Sequence, residues 1–457
     1  MTGSIHVDGN RRVLLVNPPI ADTVEVEQQD MVTAVEPFGL LRLATHFRDA
    51  GCAVDYLDCL RDPALEGRLR RHVRKVLPCG NLDEEGISKE IHHFGLDAML
   101  LGARLRSLPA PDVIGIGSIF TWHGDPVRET VEVCRSVFPR ARIVVGGNVA
   151  TLCPDEAARF GADEVFRGDV DGAVFAPTAA DLIADRYTDF LRMIKGCPNR
   201  CSYCVTHCLN DDRVVARPPG EVFDELVAKK AANGTRNFIL YDDYVLYRQG
   251  TYLDPLLDRI AEARLDIALE FALGFAANKV TGKLADRLRA AGVERVILAL
   301  ETLREEESRA MHRPHHVEGF VRAVELLKAR GFKGRNLRAF YLIGLPNQTT
   351  DEILRAILFL YSLGVTPSLT TYTLTPRSGD MARYGHLAKG RALDELGPCL
   401  WRFAHPGMRV RELDAIYRYF HEKFFPLSRI MASSTADPVI CAMQEILRNG
   451  RHQPEKW

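Results

Sequence analysis

Lys195-Gly196-Cys197-Pro198-Asn199-Arg200-Cys201-Ser202-Tyr203-Cys204 holds three cysteines at x3 and then x2 spacing, directly after the apolar run Phe190-Leu191-Arg192-Met193-Ile194. Pro198 and Asn199 favour a turn, so the backbone can fold three sulfurs around one point. Thiolates select soft metals and iron–sulfur clusters. Three ligands on one loop would leave the fourth iron of a 4Fe–4S cluster open, and the chemistry would start there. Structural zinc is a competing reading, with His207 or Cys208 closing a set of four, although typical zinc ligands come as two separated pairs. Buried free cysteine is another, and it does not explain three thiols on one turn.

Downstream of this claw the pattern repeats as strand then helix. Strands read at 189–194, 237–242, 266–273, 295–300, 337–343 and 368–374, with helices at 220–232, 253–263, 281–291, 316–330 and 350–363 between them. Gly234, Gly292, Gly331 and Gly364 stand where helices end. Six such units fit an incomplete parallel β/α barrel, and the claw falls at a strand C-terminal end, where barrels gather their reactive groups.

Upstream, Arg12–Asn17 reads as a buried strand stopped by Pro18 and Pro19, followed by a helix near 38–50 and strands at 53–57, 112–118, 142–147 and 164–166. Helices near 126–138 and 154–160 alternate with them. This alternation predicts a doubly wound parallel sheet, whose ligands lie beyond the strand C-terminal ends, near Asn17, Ser118 and Gly146-Gly147. Residues 61–110 interrupt the pattern as a charged insertion. Its basic run Arg68 to Lys75 reads as a solvated helix face, followed by Asp83, Glu84 and Glu85, and its pair His92-His93 reads as structural. Residues 381–457 read as a small helical cap over the open side of the barrel, with Trp401, Phe403, Tyr417, Tyr419, Phe420, Phe424 and Phe425 as core aromatics. The expected division is a sheet domain over 1–178, a barrel over 179–380 and a helical region over 381–457.

Net charge −1 gives no global pull toward nucleic acid, and no run of 18 apolar residues is present to span a membrane. The polar start, Thr2 to Arg12, lacks the apolar core of a secretion signal. Eleven irregularly scattered cysteines argue against a disulfide framework, so a reducing cytoplasm is expected.

The Cys197-x3-Cys201-x2-Cys204 spacing, with Tyr203 before the last cysteine, resembles the signature of radical S-adenosylmethionine (SAM) enzymes. The resemblance implies that SAM chelates the open iron and is cleaved reductively to a deoxyadenosyl radical, with an electron donor such as flavodoxin or ferredoxin. It places Tyr203 against the adenosyl part of SAM. It also places Tyr241, Asp242 and Asp243, after the second strand, at the SAM amino group, and Glu301, after the fourth, at its ribose or methionine part. Arg338, on the fifth strand, would pair with a carboxylate of SAM or with a neighbouring acid. "YLIGLPNQTTDE" (Tyr341 to Glu352) and "TLTPRSGD" (Thr373 to Asp380) resemble the family's loops after the fifth and sixth strands.

"LLVNPP", "PFGLLRLA", "DVIGIGS", "VVGGNVATLCPDEA" and "GADEVFRGDVDG", across roughly residues 11–175, resemble the cobalamin-binding domain that precedes many radical SAM cores. That resemblance implies cobalamin contacts at Asn17, Ser118, Gly146, Gly147 and Thr151. The DxHxxG motif that supplies a lower histidine to cobalt is absent, as in many members of this branch. A sheet retained without cofactor is the alternative. Together the two resemblances imply a cobalamin-dependent methyltransferase acting on a small-molecule carbon, with no nucleic-acid or membrane partner. Rearrangement, cyclisation or aminocarboxypropyl transfer without methyl transfer is the runner-up, and a cobalamin or metal sensor is the non-enzyme alternative.

Overall fold

The computed structural model describes residues 2–3, 10–23, 36–80, 87–183, 188–313, 317–405 and 407–449. Five strands form the first sheet: Arg12–Asn17 (β1), Ala53–Asp58 (β2), Val113–Ile116 (β3), Arg142–Val145 (β4) and Glu164–Val165 (β5). All neighbours are parallel and the order is β2-β1-β3-β4-β5. Residues Val13 to Val16 are buried on both faces, as a central parallel strand requires. Val13 and Leu15 pack under Leu40, Ala44 and Phe47 of helix Phe38–Asp49 (α1). Leu14 and Val16 face the opposite layer, built by Leu101 and Leu105 of Ala98–Arg106 (α2) and Val127 and Val131 of Gly124–Val137 (α3). The sheet is therefore doubly wound, and its strand order reverses between β1 and β3. A crevice must open there, beyond Asn17 and Ile116.

The stretch 61–110 departs from its sequence reading. Arg70–Pro78 is a strand, not a helix, and pairs antiparallel with Ser88–Phe94, which pairs in turn with Ile20–Asp22. Its charges are not simply solvated: Arg74 meets Glu129 at 2.8 Å, and Lys75 meets Asp394 and Asp125. Charge alone suggested the helix, whereas a ladder to Ser88–Phe94 and these distant acids favour the extended chain. Asp83, Glu84 and Glu85 lie outside the described residues. The hairpin clasps the C-terminal region through Gly80 N to Leu400 O (2.7 Å) and Lys89 to Asp414 (2.5 Å). Leu400 is buried against Ala21 and Ile91. His93 is buried, with Nε2 at the Leu96 carbonyl and Nδ1 at Arg74.

The second unit has six parallel strands: Thr188–Leu191 (β6), Asn237–Leu240 (β7), Ala268–Phe271 (β8), Val296–Glu301 (β9), Gly334–Ile343 (β10) and Val365–Thr371 (β11). β6-β7-β8 form one half, and the short strand Phe275–Ala276 joins β9-β10-β11 in the other. Among the described residues the halves meet through the bridge of Leu269 to Val293, giving a partial barrel with a thin seam. Helix Thr350–Ser362 (α4) starts on a capping box of Thr349 and Glu352, and Ile353 to Tyr361 is buried except at Arg355. Helices Val410–Phe420 (α5) and Pro438–Arg448 (α6) pack on α4, and α5 also packs on β11. Glu422 N donates to Pro367 O at 3.0 Å, so the open side this tail covers is the free edge of β11. Among the described residues, no helix is long and apolar enough to cross a membrane.

Candidate active site

Ile194–Lys195 and Val215–Ala216 pair antiparallel and close the claw loop at its base. Gly196 starts the loop at φ +91°, where a Cβ would lie 2.0 Å from the Arg213 carbonyl oxygen. Only glycine lets the two ends of the loop pass this closely. The claw is then tied to two other loops and to itself. Ser202 N donates to Met311 O (3.0 Å), Asp380 N donates to Ser202 O (2.8 Å), and Cys204 N donates to Cys201 O (3.0 Å). Thr206 N donates to Cys204 Sγ at 3.5 Å.

All three claw cysteines are free thiols. Burial pushes the Cys197 thiol up to about 11 and raises that of Cys201. Among the described residues no three His, Cys, Asp or Glu side chains are gathered as a metal-ion site. Three thiols on one loop are nonetheless the soft donor set that an iron–sulfur cluster takes. Cys208 sits outside the claw, with Sγ 3.4 Å from the Arg377 carbonyl.

The acids after β7 are engaged with that loop. Asp242 Oδ1 accepts from Met193 N (2.8 Å) and Ile194 N (3.0 Å), and Asp243 Oδ2 accepts from Gly196 N (2.6 Å). Burial raises Asp242 to about 6, and its Oδ2 is buried without a partner. Both carboxylates thus hold the backbone that enters the claw. Tyr241 turns the other way, with its ring 5.1 Å from Phe38 and beneath the Arg192 guanidinium.

Glu301 closes β9 after an irregular register, in a left-handed conformation (φ +64°) that glutamate rarely adopts. It is buried, and burial raises its carboxyl. Arg313, which the sequence reading passed over, binds it at 3.6 Å, donates to Tyr203 Oη at 2.9 Å and lies 3.8 Å from Cys201 Sγ. Glu301, Tyr203, Arg313 and Cys201 therefore form one cluster. Arg338 stands apart from it, in the first half of β10, where it pairs with Glu422 at 2.7 Å. The neighbouring acid left open for Arg338 is thus in place. No local pattern marks Arg313, since it arrives from a loop more than a hundred residues after the claw.

A cavity of ≈ 420 Å³ fills the crevice at the β1/β3 reversal. Asn17, Ser118, Gly146, Gly147 and Thr151 all line it, and Arg192, Lys195, Asn210, Tyr241 and Asp243 line it from the barrel side. The polar side chains of the sheet rim are already hydrogen-bonded within the protein. Asn17 Nδ2 donates to Asp58 (2.8 Å), Ser118 Oγ donates to Gly146 O (2.8 Å), and Thr151 Oγ1 donates to Gly147 O (2.8 Å). They shape the rim, while glycine backbone faces the space. Its walls are mainly glycine and apolar groups, with a few polar groups at the rim, as in a ligand-binding cleft. Lys195 pairs with Asp169 across the boundary between the two units.

The family model described as Radical SAM superfamily matches residues 191–360, and that described as B12 binding domain matches residues 90–176. A GTP 3',8-cyclase of Pseudomonas entomophila (strain L48) is 31% identical over 179 residues, 38% of this chain and 51% of that protein. The heme chaperone HemW of Escherichia coli (strain K12) is 28% identical over 202 residues, 40% of this chain and 49% of that protein. The chain thus spans about half the length of these curated relatives. A structure of the radical SAM methyltransferase TsrM from Kitasatospora setae, with cobalamin and a 4Fe–4S cluster bound, aligns at TM-score 0.60 and 17% identity, over 89% of this chain and 85% of that one. OxsB, a cobalamin-dependent SAM radical enzyme with aqua-cobalamin and SAM bound, aligns at TM-score 0.53 and 14% identity, over 97% and 61%. At these identities the two structures share the fold.

Proposed function

We propose, from the premise that this chain is a radical SAM superfamily enzyme with a B12 binding domain, that it methylates a small molecule at carbon. Its cofactors are a 4Fe–4S cluster, SAM and cobalamin. One observation carries the reading: the crevice of the sheet and the entry to the claw share a single cavity, lined by Gly146, Gly147 and Thr151 on one wall and by Lys195, Asn210 and Asp243 on the other.

When bound, these groups supply a hydrogen-abstracting radical, a methyl group and its carrier. The chain's own residues do the holding. Cys197, Cys201 and Cys204 ligate the cluster, and Asp242 and Asp243 fix the backbone that presents them. Tyr203 and Glu301 stand beside the claw as the walls for SAM. Gly146 and Gly147 let backbone approach cobalamin closely, and Asn17, Ser118 and Thr151 keep that rim in shape. Phe38, Phe190 and Tyr241 close the junction with apolar rings at 4.8 and 5.1 Å, which keeps water from the space between the cofactors. A flavodoxin- or ferredoxin-type donor supplies electrons from outside.

Anaerobic protein reconstituted with iron, sulfide and hydroxocobalamin tests this with methyl-labelled SAM and a panel of small metabolites. The expected result is a cobalamin spectrum, deoxyadenosine and S-adenosylhomocysteine, and label on substrate carbon. Cleavage of SAM by protein that retains no cobalamin would favour cyclisation or rearrangement instead. The similarity of 38% of the chain to a GTP 3',8-cyclase makes that the second reading. Cys201→Ala with full iron content would refute the claw as cluster site.

A further inference from the structure

We propose that Arg313 sets the reduction potential of the cluster, by holding a fixed positive charge against the Cys201 ligand while it orients Tyr203. Its backbone is locked first: Arg313 N donates to Ser308 O (2.9 Å), and Ser308 Oγ donates to Arg313 O (2.7 Å). The same loop holds the claw through Met311 O and Ser202 N (3.0 Å), so loop and claw move as one piece. From that base the guanidinium reaches back under the claw. Nη1 is 2.9 Å from Tyr203 Oη and 3.8 Å from Cys201 Sγ, and Nη2 is 3.6 Å from Glu301 Oε1. Its side chain is 16% exposed, and Nε is buried without a hydrogen-bond partner.

A buried cation costs desolvation energy, which Arg313 offsets through Glu301 at 3.6 Å on one side and Tyr203 Oη and Cys201 Sγ on the other. The arrangement is asymmetric: the Arg313 guanidinium lies within hydrogen-bond range of Cys201 Sγ, whereas Glu301 meets the guanidinium. One-electron reduction adds negative charge to the cluster, and a nearby fixed cation or a hydrogen bond to sulfur favours the reduced state. Arg313 supplies both, to one thiolate of three. The electron comes from an external one-electron donor, and no bond forms or breaks at Arg313.

Full-length Arg313→Gln, Arg313→Lys and Tyr203→Phe are reconstituted anaerobically. Iron and sulfide are counted, and reduction by dithionite is followed by electron paramagnetic resonance against potential. Arg313→Gln is expected to keep its iron and shift the midpoint negative. At a fixed potential its reduced-to-oxidised ratio should fall about tenfold, which is about 59 mV for a one-electron couple. Arg313→Lys keeps the charge but loses the planar fork, and should shift less. Tyr203→Phe keeps the charge and should leave the midpoint near that of the parent. An unshifted midpoint in Arg313→Gln overturns the inference, as do equal shifts in Gln and Lys. Loss of iron from both Arg313 variants overturns it in favour of a scaffold role. The inference rests on the cluster and not on methyl transfer. Parent protein that takes up no iron refutes the cluster, whereas an unshifted midpoint refutes only the role of Arg313.

Discussion

Gly147→Ala separates the two cofactor sites. Gly147 sits at φ 87° and ψ −156°, a region essentially closed to residues with a Cβ. A methyl group there would lie 2.3 Å from Ser118 O, 2.8 Å from Ser118 N and 2.9 Å from Ser118 Oγ. Rotating a side chain cannot relieve this, because two of the three atoms are backbone. Ser118 is itself fixed, since its carbonyl accepts from Asn148 N (2.9 Å) and its hydroxyl accepts from Val149 N (3.0 Å). The methyl must therefore open the rim. Backbone strain of about 1–3 kcal/mol, with one or two hydrogen bonds lost at about 1 kcal/mol each, gives roughly 2–5 kcal/mol. If cobalamin binds only the closed rim, its affinity falls about 30-fold or more, at 1.4 kcal/mol per factor of ten. The assay is titration of hydroxocobalamin into reconstituted parent, Gly147→Ala and Gly220→Ala, read in the visible, with iron counted in each. Gly220→Ala is the control, because Gly220 does not line the crevice and a Cβ there meets nothing within 4 Å. Parent-like affinity in Gly147→Ala would show that cobalamin does not occupy this crevice.

Two further outcomes follow from buried charge. Burial raises Asp242 from 3.8 to about 6, so the folded chain binds its proton more tightly than the unfolded chain does. Stability should then fall as pH rises from about 4 to about 6, by roughly 3 kcal/mol from this group, and stay lower above that. Asp242→Asn keeps an acceptor for Met193 N and Ile194 N. Urea unfolding of the apo chain at pH 4.5 and 7 should show its pH difference reduced by about 2 kcal/mol, the part of that loss that falls between these two pH values, and an unchanged difference would refute the assignment. Lys195→Met strands Asp169 in a partly buried pair and should cost about 3 kcal/mol. The double variant Lys195→Met/Asp169→Leu should recover at least half of that loss in the same assay, and simple additivity of the two single losses would refute the coupling.

Local periodicity made the two sheets legible. β1 is a run of four apolar residues stopped by Pro18 and Pro19, and α4 opens on its own capping box, so neighbouring residues suffice to place them. The claw was legible because its three cysteines share one short stretch of sequence. Long-range choices were not. Arg70–Pro78 carries charges that suit a helix, and its extended form depends partly on Asp394, 319 residues away. Arg313 carries no local signal, because its partners Cys201 and Tyr203 belong to another loop. The side chains of Ser118 and Thr151 were read from their position at strand ends, and position does not reveal that turns of the rim already occupy their hydroxyls.

The distance between crevice and claw is fixed by seams of different chemistry. Phe38 of α1 wedges its ring between Phe190 and Tyr241. Lys195, one residue before Gly196 at the start of the claw loop, pairs with Asp169. Arg377 (φ +69°), in the turn after β11, donates to Thr151 O at 3.0 Å while its own carbonyl meets the Cys208 thiol. An apolar contact, an ion pair and a backbone hydrogen bond respond differently to salt, pH and temperature, so no single condition loosens all three. The clasp from Gly80 and Lys89 to the C-terminal segment then holds the sheet unit to the far edge of the barrel as well. A domain pair joined on two sides cannot hinge about either one, which favours a reaction in which the two cofactors work at a set separation and substrate and product, rather than domains, do the moving.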